Sequence, residues 1–189
     1  MKLPLVLLKM KQTHTAQRGA LRMDIRAIRR LMSEGQSIFD IPMRVTFYAR
    51  VSTDKSEQLS SLDNQVEYYT ELINSRQAWE YVHGYVDEGI SGTSTKGRVN
   101  FNHMIEDGRR GLFDLIITKE ISRFSRSTFD SIKYTQELLD AGVGVFFQND
   151  NINTLDPDSE FRLVVMAGVA QDEVRKLSQR LKFGFRQSI

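Results

Sequence analysis

The sequence predicts an α/β fold: a mainly parallel sheet of about four to five strands with helices on both faces, followed by a long C-terminal helix. Three features of the 189-residue chain predict it. From Met43 onward, short β-branched and aromatic runs alternate with stretches that are apolar at helical spacing. The strand runs are almost continuously apolar, as strands covered on both faces must be. The final stretch carries an apolar stripe too long for one small domain to cover.

The elements follow in order. Only three prolines punctuate the chain (Pro4, Pro42 and Pro157), and the pattern changes abruptly after Pro42. Met43 is therefore taken as the first residue of the α/β domain. Val45-Thr46-Phe47-Tyr48-Ala49 reads as a buried strand. Residues 60–76 read as a helix, with Leu62, Val66, Tyr69, Leu72 and Ile73 on one face. Tyr81 to Val86 is the second strand, and Phe101 to Arg110 is a short helix ending near Gly111. Leu112 to Thr118 is the third strand. Thr128 to Ala141 is a helix with Phe129, Ile132, Leu138 and Leu139 apolar and Gly142 at its C-cap. Val143 to Phe147 is the fourth strand. In parallel sheets, chemistry gathers at the carboxyl ends of strands. The first strand runs into Arg50 and Ser52, the third into Lys119-Glu120-Ile121-Ser122-Arg123, so both segments are expected at one edge.

Two flanking parts complete the plan. In residues 1–42, Leu21, Ile25, Ile28 and Met32 share a helical face, with Arg22, Arg26, Arg29 and Arg30 around it. This part is expected to be an N-terminal extension, a basic amphipathic helix or disordered, without a role in chemistry. From Ser159, the stripe Met166, Ala170, Val174, Leu177, Leu181 and Phe185 predicts a helix over 159–186. At ~1.5 Å per residue it is roughly 40 Å long, so its outer half must bury its stripe on something else or be unstable alone; a partner subunit is expected, packing wholly on its own sheet being the other reading. The expected division is 1–42, 43–158 and 159–189.

Composition narrows the class. Apolar residues are 40% and charged residues 26%, and there is no cysteine, so disulfides, thiol catalysis and Cys-built zinc sites are excluded within this segment. No run is long enough to span a bilayer, and Leu3 to Leu8 is followed by Lys9 and Lys11 rather than a cleavage site. The chain is read as cytoplasmic, with no membrane partner. Residues 1–42 hold eight Lys/Arg against three Asp/Glu, whereas 43–189 hold 18 against 21. The body is not a generally basic nucleic-acid binder. Any DNA contact must use local basic clusters or a part outside this chain.

A serine hydroxyl is a weak nucleophile until its proton is removed or the developing charge is stabilised. The three histidines, His14, His83 and His103, lie in no nucleophile elbow and read as surface or packing residues. The arginines are more suggestive. Arg50 lies two residues before Ser52, so in an extended strand end both side chains share a face. Arg98 follows the Gly-rich run 89–97, and Arg123 and Arg126 are spaced to share a face of a helical turn. Guanidiniums around a hydroxyl suit a phosphodiester, because they bind its oxygens in a fork and stay charged. Asp87-Glu88 is a poor two-metal pair, since adjacent strand residues point to opposite faces. Neither nucleotide-binding glycine fingerprint is present. No metal, cofactor or small-molecule substrate is expected.

Five blocks in order carry a family resemblance: Tyr48-Ala49-Arg50-Val51-Ser52-Thr53-Asp54; Ser61-Leu62-Asp63-Asn64-Gln65; Asp87-Glu88-Gly89-Ile90-Ser91-Gly92 with Arg98; Ser122-Arg123-Phe124-Ser125-Arg126; and Gly168-Val169-Ala170-Gln171-Asp172-Glu173. Together they resemble the catalytic domain of the resolvase/invertase (serine recombinase) family over about residues 43–182. The resemblance implies a resolvase-like fold, with 43–158 as the catalytic domain. It implies that Ser52 attacks a DNA phosphodiester and forms a covalent 5′-phosphoserine link, without a metal. Arg50, Arg98, Arg123 and Arg126 fall where the family has its phosphate-binding arginines, and Tyr48, Gln65, Asp87 and Ser122 fall at supporting positions. Residues 159–189, with Met166, Val174, Leu177 and Leu181, fall at the family's subunit-interface helix, which approaches DNA. Double-stranded DNA and a homo-oligomer, a dimer and then a synaptic tetramer, are the implied partners.

There are departures. Ser122 stands where small resolvases usually carry Asp, Val99 stands where many members have Pro, and residues 1–42 have no counterpart. Ser122, with the Asp87-to-Gly92 block, points to the large transposase and integrase subfamily of bacteria, phages and mobile elements. Those proteins continue into DNA-binding domains, so the native chain is expected to continue past Ile189. Two other readings compete. One is a catalytic fragment unable to bind DNA alone. The other is a non-catalytic, receiver-like signalling module, which needs clustered acids after the first strand, where Arg50-Val51-Ser52 stand.

Overall fold

A computed structural model of the protein describes residues 23–51, 58–88, 98–125, 128–166 and 168. Its sheet has five strands: β1 (Met43–Val51), β2 (Trp79–Glu88), β3 (Leu115–Thr118), β4 (Gly144–Phe147) and β5 (Ile152–Asn153). They lie in the order β2-β1-β3-β4-β5. The first four are mutually parallel, and β5 runs antiparallel to β4. The helices are α1 (Ile25–Ser33), α2 (Gln58–Asn74), α3 (Val99–Arg109), α4 (Ile121–Phe124) and α5 (Thr128–Asp140), with a 3-10 turn at Ile38–Asp40. Residues 159–166 are also helical; the rest of the expected long helix, with Val174, Leu177 and Leu181, lies outside the described residues. The expected α/β class with a mainly parallel sheet is the one observed.

Alternation along the strands builds two cores. Tyr48, Ile116, Val145 and Phe147 face α3, α4 and α5, packing on Phe101, Met104, Phe124 and Leu138. Val45, Phe47, Ala49, Leu115 and Ile117 face the other way, onto Tyr69 and Ile73 of α2. The second core continues through the 3-10 turn into α1. Ile28 and Ile41 are completely buried, and the Trp79 indole donates to the Ile38 carbonyl at 3.1 Å. Residues 23–42 are thus packed into the domain that the sequence starts at Met43.

Local signals explain the boundaries. The third strand begins at Leu115 rather than Leu112, and just before it the Asp114 carboxylate accepts from the Arg44 backbone N–H (2.9 Å) and guanidinium (3.1 and 2.7 Å). Gly142, at φ +81°, closes α5 as expected; the Val143 N–H reaches the Leu138 carbonyl at 2.8 Å. A bulge between Val45 and Phe47 brings Phe47 beside Gly84, where a Cβ would fall inside the Phe47 ring. The short α4 and the two-residue β5 were not read from sequence; neither is long enough to show a period.

Candidate active site

The chain goes from β1 out to β2, then back across β1 to β3. Strand order therefore reverses between β1 and β3, and in open α/β sheets ligands gather at the carboxyl edge beside such a reversal. Arg50 lies near the end of β1, Asp87 near the end of β2, and Ser122 and Arg123 just beyond β3. Parallel strands bring these distant segments to one edge.

A buried polar network anchors this edge. Tyr48 and Asp87 are 1% and 4% exposed. The Tyr48 hydroxyl donates to Asp87 Oδ2 at 3.1 Å. That carboxylate also accepts the backbone N–H of Phe101 (2.9 Å) at Oδ2 and of Asn100 (3.0 Å) at Oδ1. Arg98, the residue before α3, gives that helix no side-chain cap; Asp87 supplies the cap from β2. The Arg98 guanidinium lies 4.0 Å from the Phe101 ring centroid, donates to the Tyr48 hydroxyl (3.1 Å from Nη2) and reaches the Phe124 carbonyl of α4. One network thus ties β1, β2, the start of α3 and the end of α4. Burial pushes the Tyr48 phenol up to about 12, against the opposing pull of the Arg98 charge; Asp87 adds to the rise.

Around this network the expected residues fall into groups. Arg50 pairs in register with Asp87, so the two are neighbours on the face that carries Tyr48. Arg123 is held by Glu120 at 3.3 Å, and the Ser122 hydroxyl donates to the same Glu120 oxygen at 2.7 Å. Gln65 is half-buried on α2, whose packing is with the opposite face of the sheet. Met166 packs partly buried on the first core, while Phe161, Val164 and Val165 of the same helical segment are exposed. Ser52, Arg126 and the Gly-rich run 89–97 lie outside the described residues.

Two carboxylates escaped the sequence reading. Asp150 Oδ2 accepts the Ile121 N–H at 2.7 Å and so caps α4 from beyond β4; only the fold reveals this contact. Glu120 had a signal, since it stands three residues before Arg123. Its carboxyl is held below the usual range, first by the Ser122 hydroxyl and then by Asn149 and the Arg123 charge, against a desolvation cost. Among the described residues, no three His, Asp or Glu side chains cluster as metal ligands, and no helix is long and apolar enough to cross a membrane.

Comparison with known proteins agrees with this architecture. Residues 45–188 match the family model described as resolvase, N-terminal domain. A resolvase of Clostridium perfringens is 32% identical over 144 residues, covering 75% of this chain and 69% of that protein. The crystal structure of a resolvase family site-specific recombinase from Streptococcus pneumoniae superposes with a TM-score of 0.55 at 26% identity, covering 77% of this chain and 99% of the other. The N-terminal catalytic domain of TP901-1 integrase shares the fold, with a TM-score of 0.52 at 24% identity over 71% of this chain and 98% of that one. By sequence and by fold, this chain belongs to the resolvase family and carries its N-terminal domain.

Proposed function

We propose that the chain is the catalytic domain of a site-specific DNA recombinase whose nucleophile is Ser52. The observation that carries the reading is the buried Tyr48–Asp87–Arg98 network at the carboxyl edge of the sheet, with Arg50 beside it and Arg123 just past β3. Ser52 directly follows Val51, the last residue of β1. In the proposed reaction the Ser52 oxygen attacks a backbone phosphorus and the bond to the 3′ oxygen breaks. The 3′ hydroxyl leaves with a proton, and the 5′ phosphate stays on Ser52. Attack of a 3′ hydroxyl on the phosphoserine reverses the step and joins new partners. One phosphodiester replaces another, so no energy source is required. Arg50, Arg98, Arg123 and Arg126 offset the charge on the pentacoordinate phosphorus, a task suited to fixed guanidiniums without a metal. Tyr48, Gln65, Asp87 and Ser122 hold that set.

The partner is double-stranded DNA, engaged by a homo-oligomer. The exposed Phe161, Val164 and Val165 support a subunit contact along the C-terminal helical segment, and the expected interface residues Met166, Val174, Leu177 and Leu181 are proposed to extend it. The test is denaturing electrophoresis after incubation with DNA carrying the recombination site. With full-length protein, wild type is expected to leave a protein–DNA adduct and Ser52→Ala none, with site binding retained. An adduct that survives Ser52→Ala refutes the reading.

A further inference from the structure

The Glu120 carboxylate sits where an anion would sit. One oxygen, Oε1, receives both the Ser122 hydroxyl and the Arg123 Nε–H. A phosphate oxygen presents the same acceptor to the same two donors. The backbone beneath is fixed independently: Asp150 caps Ile121, and the Asn149 N–H reaches the Lys119 carbonyl at 2.8 Å. Glu120 is therefore not needed to hold the turn. The pair is also accessible, with side chains 44% exposed at Arg123 and 30% at Glu120. A partly exposed ion pair is weak enough to exchange with a competing anion.

We propose that Glu120 is a positioning residue that serves as an internal stand-in for phosphate. It holds Ser122 and Arg123 in the phosphate-free protein and gives them up when a backbone phosphate arrives. The proposal rests on the recombinase reading for its biological ligand, but its geometry is tested without DNA. The probe is inorganic phosphate, titrated into the full chain and followed by the Arg123 Nε–Hε resonance, assigned with Arg123→Lys. In wild type, phosphate is expected to shift this resonance at saturation. Glu120→Gln should move it before any phosphate is added and tighten phosphate binding roughly two- to five-fold, the range of a released surface ion pair. Glu120→Asp should restore much of the wild-type behaviour, and thermal melting should separate these effects from loss of fold. A resonance that ignores phosphate, or the same affinity in wild type and Glu120→Gln, overturns the proposal. Failure of the Ser52 adduct with this coupling intact rejects the chemistry alone.

Discussion

Asp87 does three tasks with two oxygens. It caps α3 through Asn100 and Phe101, receives Tyr48, and thereby steadies the hydroxyl that holds Arg98. Replacing it with Ala leaves two helix-end N–H groups and a buried phenol without that acceptor, and is expected to destabilise the fold by about 2–3 kcal/mol in urea denaturation. Tyr48 makes a pH prediction. Its phenol keeps its proton to about 12 in the folded protein, against 10.0 for a free tyrosine. Between those values the unfolded chain binds fewer protons, so stability is full below pH 10 and falls as pH rises towards 12. Tyr69, Tyr81 and Tyr85 are also raised, chiefly by burial, and act in the same direction. An alkaline absorbance titration should show the late Tyr48 step, and Tyr48→Phe should remove it.

Among the elements, the sequence disclosed what has a period and concealed what depends on a distant partner. The strand at Val45 to Ala49 and the α2 face of Val66, Tyr69, Leu72 and Ile73 were legible, because burial repeats along them. The network at the site was legible only as a set of residue types. That Asp87 caps a helix starting twelve residues later, or that Arg98 reaches Phe124, follows from chain crossings that no local spacing encodes. Glu120 had the spacing to pair with Arg123, but its sharing of one oxygen between Ser122 and Arg123 is seen only in the fold. Gly84 is a further case of hidden constraint. A methyl group there collides with the Phe47 ring, so Gly84→Ala should cost about 1–3 kcal/mol in the same denaturation assay. Gly35, which has open space around its Cβ direction, supplies no such collision.

At the scale of the whole molecule, the second core runs through the boundary that Pro42 suggested. A proline marks a break in regular backbone, and it says nothing about whether the chain on either side shares a core. Here Ile28, Ile38 and Ile41 share one with Phe47 and Ile117. Ile28→Ala is expected to cost about 2–4 kcal/mol, since its side chain is fully enclosed. A chain that starts at Met43 should melt at lower temperature and bind a hydrophobic dye on the bared face. Equal melting temperatures for the two lengths would mean that residues 23–42 contribute nothing to stability.

The Asp87 carboxylate also makes a clasp. Asn100 is bound to it through the backbone N–H, and the Asn100 side-chain amide returns to the Val86 carbonyl at 2.6 Å. The chain therefore leaves the sheet and re-enters α3 at two points locked to each other, whatever lies between. Such a pin fixes the two ends independently of the residues between them. Each doubling of a flexible segment adds only about 0.6 kcal/mol of closure entropy. Inserting several glycines between Ser91 and Lys96 should hardly move the melting temperature, while the same insertion with Asn100→Ala should lower it further than the two changes summed. The length and chemistry of this stretch can then change while Asp87, Asn100 and the start of α3 keep their places.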